Sequence, residues 1–229
     1  MIPFPQQVLL LLGKDLRIEA RGRQTIQLVV VLGILIMVVL GLGLGAGRPV
    51  DGFGASAILW VAYLFGGVLC FERTMAWERH DDAMAGLLAA PISRSAIYIS
   101  KLLANVALMF TLAVIVTPVA VALFRFDLSA AFGSFAMIMS LGMIGFAAIG
   151  TLFAAAVSSS RLQGGLLAML VFPLCLPIVI MSTQVMRHAF ASQPDPASAG
   201  WGSGITMLAL ADIIYLASSW IVFELVLEP

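Results

Sequence analysis

The chain has 229 residues, 62% of them hydrophobic and only 10% charged, and its twelve basic and twelve acidic side chains leave no net charge. Soluble domains carry about a quarter charged residues, and so few polar groups cannot cover a compact particle of this size, so a water-soluble globule is excluded and lipid must act as solvent. The absence of a basic field also sets nucleic acid aside as a partner.

The N-terminal segment carries Lys14, Arg17, Arg21 and Arg23 ahead of an apolar run from Thr25 to Ala46. That order resembles a secretory signal, but the run exceeds the roughly 7–15 residues of a signal core, so it is expected to be an uncleaved first span. At about 1.5 Å per residue, close to 20 apolar residues cross a hydrocarbon layer. Six such runs follow in chain order, at about 25–46, 53–71, 102–124, 130–157, 162–181 and 205–227. The expectation is an all-α integral membrane protein with six transmembrane helices, forming one permease-sized domain over 1–229, with no inserted soluble domain.

Gly41, Gly43, Gly45 and Gly47 close the first run and are expected to loosen its outer end. Lys and Arg accumulate in cytoplasmic loops. With the N-terminus inside, nine of them fall in inner segments and three (Arg48, Arg125 and Arg187) in outer ones, which predicts two cytoplasmic termini.

Two connections are long: an inner one, 72–101, and an outer one, 182–204, which contains Pro194 and Pro196. Within the inner one, Ala76, Trp77, Ala83, Met84, Leu87 and Leu88 fall on one helical stripe, while Glu78, Arg79, Asp81 and Asp82 face away. The pattern predicts an amphipathic helix over 74–90 at the membrane surface. Pro91 stops it, and Ser93 is the expected N-cap of the next helix, which begins with Arg94 and runs through Lys101 into the third span. The pattern alone fits an interfacial anchor and a docking surface equally.

The sequence contains no GxxxxGK[ST] phosphate loop, so any ATP-driven work needs a separate subunit. His80 and His188 are isolated, and Cys70 and Cys175 lie in apolar runs, so neither a metal cluster nor a disulfide framework is indicated. Intramembrane proteolysis would need paired aspartates or a Ser/His pair at membrane depth, and neither is present. A candidate intramembrane polar site remains in the sixth run, where Asp212 is expected about two turns in and Glu224 near the inner end, with Glu228 beyond it. For Asp212 a partner across the bundle or a wet outer vestibule is the preferred reading over a substrate or proton contact. Pro118, Pro173 and Pro177 are expected to bend their helices. In the fourth run, Ala147, Thr151 and Ala155 stand at intervals of four beside Gly150 and Ala154, a stripe that permits close packing within the chain or between chains.

The segment Glu78-Arg79, Gly86-Leu87-Leu88-Ala89-Ala90-Pro91-Ile92-Ser93-Arg94, then Ile97, Tyr98 and Lys101, resembles the coupling region of type-2 ABC exporter permeases. Further features resemble the CcmB family of haem-exporter permeases in order and spacing over about 14–228. They are Lys14-Asp15-Leu16 with Glu19, Arg21 and Arg23; Trp60; Phe71 and Arg73; Ala104-Asn105; Gly150-Thr151-Leu152-Phe153-Ala154-Ala155; Phe172-Pro173; Asp212; Phe223-Glu224; and Leu227-Glu228. The chain departs from the family where Asp82 stands in place of a glycine and Ala85 in place of a glutamate, so that one polar contact to the ATPase would be absent or relocated.

The resemblance implies a non-enzymatic transporter subunit of the bacterial inner membrane that couples ATP hydrolysis elsewhere to haem delivery or to release of a haem-loaded chaperone. Two such chains would pair with two CcmA-like ATPase subunits, alongside a CcmC-like haem-handling subunit, a small CcmD-like membrane subunit and a CcmE-like periplasmic chaperone. Haem would be handled by the complex and ATP by the partner, with no cofactor assigned to this chain. Trp77, Glu78, Arg79, Asp81, Asp82, Met84, Leu87, Leu88, Pro91 and Arg94 would form the ATPase-coupling interface. The segment 182–204 would hold short re-entrant or interfacial helices facing the periplasmic partners, or be a solvated loop. Export of a drug, lipid or polysaccharide, a non-transporting scaffold and a proton-conducting subunit are the competing readings.

Overall fold

In the computed structural model, residues 3–22, 24–43, 52–79, 86, 91–125, 127–157, 163–189 and 199–226 are described. Among them the chain forms seven α-helices and one short 3-10 turn. Helix α1 (Phe4–Gly22) is followed by α2 (Gln24–Gly43), α3 (Gly52–Arg79), α4 (Arg94–Phe124), α5 (Phe132–Val157), α6 (Gln163–Ala189) and α7 (Ala199–Val226). Each of α2 to α7 contains a stretch long and apolar enough to cross a membrane. The six expected runs therefore each correspond to one helix, and the protein is a multi-pass α-helical membrane protein.

Helices α3 and α5 are the most deeply buried, with α4 and α6 against them and α2 and α7 at the margins. The marginal helices turn Val31, Leu35, Val39 and Leu42 of α2, and Met207, Leu210, Ile213, Ile214 and Ile221 of α7, outward. An apolar outer face is what lipid requires, because acyl chains offer no hydrogen bonds and exact no cost from exposed leucine or isoleucine.

The contact between α3 and α5 is set by a reciprocal exchange of glycine and phenylalanine. Phe146 of α5 lies where a β-carbon on Gly67 of α3 would stand, and Phe71 of α3 lies likewise over Gly150 of α5. The two rings meet edge to face with centroids 5.1 Å apart. Removing a side chain from one helix at each ring lets the backbones close up, as small residues do in membrane bundles. Gly150 in the small-residue stripe thus serves packing within the chain.

Three differences from the sequence-based expectations concern helix ends. The N-terminal segment is a helix of its own, α1, and its two prolines, Pro3 and Pro5, sit at the start, where a missing N–H costs nothing. Residues 74–79, expected to begin a separate surface helix, instead continue α3, with Thr74 and Met75 buried in the bundle. The apolar character of the second run makes this cheap, since Ala76 and Trp77 extend it without a helix breaker. Helix α6 also runs past its expected end at 181 to Ala189, so that much of the outer segment 182–204 is the wall of α6 and the first turns of α7. Ser182 and Thr183 are buried there.

Other expectations agree with the structure. Ser93 is the N-cap of α4, its hydroxyl accepting from the Ala96 amide at 3.3 Å. Pro118, Pro173 and Pro177 lie inside their helices. Arg125 closes α4 in the left-handed conformation, its amide donating to Val121 O at 2.9 Å. Just beyond, the exposed Asp127 carboxylate accepts from the amide and hydroxyl of Ser129 at 2.9 and 2.6 Å, which holds it below the usual carboxylate range. At the same end of the bundle, Arg187 of α6 stands over the ring of Phe53 of α3, 5.7 Å from its centroid.

Candidate functional site

One group of polar side chains buried in the bundle gathers at the face that carries α1, around the first three turns of α4. Lys101 is 3% exposed, and its ammonium lies 2.8 Å from Oδ2 of Asp15 in α1. Asp15 is also 3.5 Å from Lys14. An ionised pair inside a low-dielectric bundle is held by mutual attraction, and either charge alone would be strongly unfavourable there. One turn along α4, Asn105 is fully buried, donates from Nδ2 to Thr151 of α5 at 2.8 Å, and accepts at Oδ1 from Thr74 of α3 at 2.7 Å. Thr151 in turn donates to Ala147 O at 2.7 Å, so the relay ends on a helix carbonyl there, while the single Thr74 hydroxyl proton has Cys70 O, 2.8 Å away, as an alternative acceptor.

Helix α1 is tied to the same region a second time, where the amide and hydroxyl of Ser93 donate to Gln7 Oε1 at 3.0 and 3.3 Å. It is tied to α2 as well, since Glu19 Oε1 accepts from the Ile26 amide at 3.1 Å. That amide is among the first N–H groups of α2 and has no acceptor within its own helix, so the carboxylate satisfies it and complements the positive end of the helix dipole. A cavity of about 20 Å³, lined by Asp15, Glu19, Thr74 and Ala104 among others, lies beside the ion pair and has room for about one water molecule.

Helix α7 reaches the same region from the opposite flank. Trp220 Nε1 donates to Ser95 Oγ at 3.1 Å, and Tyr98 packs on Phe223 with ring centroids 5.0 Å apart. The start of α4, immediately after the inner connection, is therefore joined through polar or aromatic contacts to α1, α3, α5 and α7.

Two of the residues assigned to coupling from the sequence, Pro91 and Arg94, stand at this junction. Pro91 is exposed and Arg94 partly exposed, both at the entry to α4. Trp77, Glu78 and Arg79 form the last turn of α3, and their side chains lie outside what is described. Asp81, Asp82, Met84, Leu87 and Leu88 lie outside the described residues, as does His80. Lys101 stands, as expected, on the helix that leads into the third span, but it is buried there, because Asp15 arrives on a separate helix, α1. The spacing of Lys101 and Asn105, one turn apart at the mouth of an apolar run, was the available signal.

The intramembrane candidates are not brought together. Asp212 lies midway along its span, Gly202–Phe223, deeper than the two turns expected, and is 6% exposed. Among the described residues it forms no ion pair; its Oδ1 is buried without a hydrogen-bond partner against Gly145 of α5, where Ile178 of α6 also lies. Glu224 belongs to the last turn of α7, twelve residues away, with its side chain outside what is described, and Glu228 lies outside the described residues. His188 is in the last turn of α6.

Comparison with known proteins adds to this geometry. A family model described as CcmB protein matches residues 6–216. The heme exporter protein B of Rhodobacter capsulatus is 24% identical over 210 residues, an alignment covering 91% of this chain and 95% of that protein. The match begins within α1 and ends within α7, so it takes in the ion pair, the Thr74–Asn105–Thr151 relay and five complete spans. The chain belongs to the CcmB protein family.

Proposed function

We propose that the chain is the permease subunit of an ATP-driven haem-export complex of the bacterial inner membrane, serving cytochrome c maturation, with both termini in the cytoplasm. The similarity to a protein named as a heme exporter supports the substrate. The sequence has no phosphate-binding loop, so the ATPase is a separate subunit and this chain is not itself an enzyme. That ATPase docks on the inner connection between α3 and α4. Nucleotide-driven movement there reaches haem, or the haem-loaded periplasmic chaperone, through the membrane helices. The complex further contains a haem-handling membrane subunit, a small membrane subunit and a second copy of this permease.

The observation that carries this reading is the junction at the start of α4. A push on the connection acts on Pro91 to Arg94, and the helix that follows is held to α1, α3, α5 and α7 within about three turns. Packed helices with hydrogen-bonded contacts move as bodies and do not absorb displacement locally. The load is thus shared by most of the bundle.

Cysteine placement tests both docking and orientation. With Cys70 and Cys175 replaced by alanine, single cysteines at 79 and 94 should react with an impermeant maleimide from the cytoplasmic side only and crosslink to the co-expressed ATPase subunit. A cysteine at 125 should react from the other side and not crosslink. Labelling of 79 and 94 from the periplasm would overturn the orientation, and absence of crosslinks in an assembled complex would overturn the docking.

A further inference from the structure

Asp212 sits near the middle of the sixth membrane-span-capable stretch, Gly202–Phe223. Its Oδ1 occupies the place where a β-carbon on Gly145 would stand, so the carboxyl presses directly on the backbone of α5. Ile178 of α6 closes over the same place, its Cδ1 3.0 Å away. Oδ1 is buried and has no hydrogen-bond partner. One turn earlier on α5, Gly142 makes room in the same way for Ser182 Oγ, 2.7 Å from its β-carbon position, and for the ring of Trp60; Ser182 Oγ is likewise buried without a partner.

The chemistry of this contact discriminates between the two forms of the acid. The middle of an α-helix has committed every N–H to its own ladder and has only carbonyl lone pairs to share. An ionised carboxylate can only accept hydrogen bonds, whereas the neutral acid carries an O–H that can donate to a carbonyl. Among the described residues the surroundings supply no compensating charge. Helix α5 has no titratable side chain. Helix α6 brings Cys175, neutral and buried, while its Arg187 stands over Phe53 nine residues beyond Ile178 and His188 follows it. On α7 itself the neighbour is Tyr215, and Glu224 is three turns on. Helix α4 meets α7 near Trp220 and Phe223; there Arg94 stands at its start and Lys101 is engaged with Asp15. Ionised, the carboxylate would thus sit in a low dielectric with no cation beside it and no hydrogen bond to Oδ1 among the described residues.

We propose that Asp212 is a proton-binding site in the bilayer: the carboxyl carries its proton at pH 7 against the α5 backbone at Gly145, and losing that proton loosens α7 from α5. The bound ligand is H⁺, and the site reports on packing between two membrane helices. This stands apart from ATP coupling and from the identity of the exported molecule.

The test uses the full chain in lipid bilayers and infrared difference spectra between native protein and Asp212→Asn, whose amide has the size of the neutral acid. At pH 7 the native chain should show a protonated-carboxyl C=O band that the variant lacks and that ¹³C-aspartate labelling shifts. A band that persists in the variant, or no such band, overturns the site. If the variant does not assemble, the isotope shift in native protein alone decides whether a protonated aspartate is present, and Asp15→Asn separates that residue's contribution. Raising the pH until the band disappears should accelerate amide hydrogen exchange in the middle of α7 at least tenfold beyond the intrinsic base-catalysed increase, and not in Asp212→Asn. Equal exchange in both overturns the link to packing.

Discussion

Lys101 and Asp15, from two helices of the N-terminal half of the chain, meet as a buried ion pair, 2.8 Å apart, that fastens α1 to the helix leaving the inner connection. Removing one partner strands the other charge. Lys101→Met should therefore destabilise the chain by about 3–5 kcal/mol, lowering the temperature at which detergent-solubilised protein aggregates. Asp15→Leu combined with Lys101→Met should recover most of that loss. A double variant no better than the single one would show that the pair does more than balance charge.

Asn105 bridges three helices with two side-chain hydrogen bonds, to Thr74 and Thr151. Interhelical bonds in membranes average about 0.6 kcal/mol each because the separated helices find other partners. Asn105→Ala should thus cost roughly 1–2 kcal/mol, including the volume lost from the amide. A coupling energy between Asn105→Ala and Thr151→Ala measured by a double-mutant cycle in controlled denaturant should be about 0.5–1 kcal/mol; additivity would contradict the bond.

The reciprocal fit of Gly67 with Phe146 and Gly150 with Phe71 predicts that alanine at either glycine forces the opposing ring aside. Overpacking of this kind costs about 1–3 kcal/mol. The cost of Gly150→Ala should fall when Phe71 is changed to leucine in the same chain, a comparison that folding yield and protease resistance can make.

Ser93→Ala removes the cap of α4 and one of two bonds to Gln7. A lost cap costs about 1 kcal/mol. Faster amide exchange should therefore appear at Ala96 and Ile97 with the spans unaffected, and protection that stays unchanged would mean that α4 is capped in another way.

The six spans were legible because a bilayer imposes a single demand, a long enough run of apolar residues, and each of α2 to α7 covers most of its expected run, though α3 and α6 run on past it and α4 and α7 begin before it. The extensions of α3 and α6 were hidden because nothing at Thr74 or Ser182 breaks a helix; hydropathy fell while helical structure continued. The ion pair was hidden for another reason. Asp15 and Lys101 each look like ordinary loop charges, and only the course of α1 across α4 shows that they are buried together. The coupling stripe could be read as a pattern, yet the same periodicity suits an anchor, so its role rests on the junction behind it and on what a partner does there.

The most direct test of the central claim measures ATP hydrolysis and chaperone release in the assembled complex, comparing the native chain with Glu78→Ala/Arg79→Ala. If the last turn of α3 and the connection after it transmit the work of the ATPase, the variant should insert and assemble normally and still hydrolyse ATP, while release per ATP falls at least tenfold. Unchanged release from an assembled variant would contradict the coupling role and leave this region as a membrane anchor.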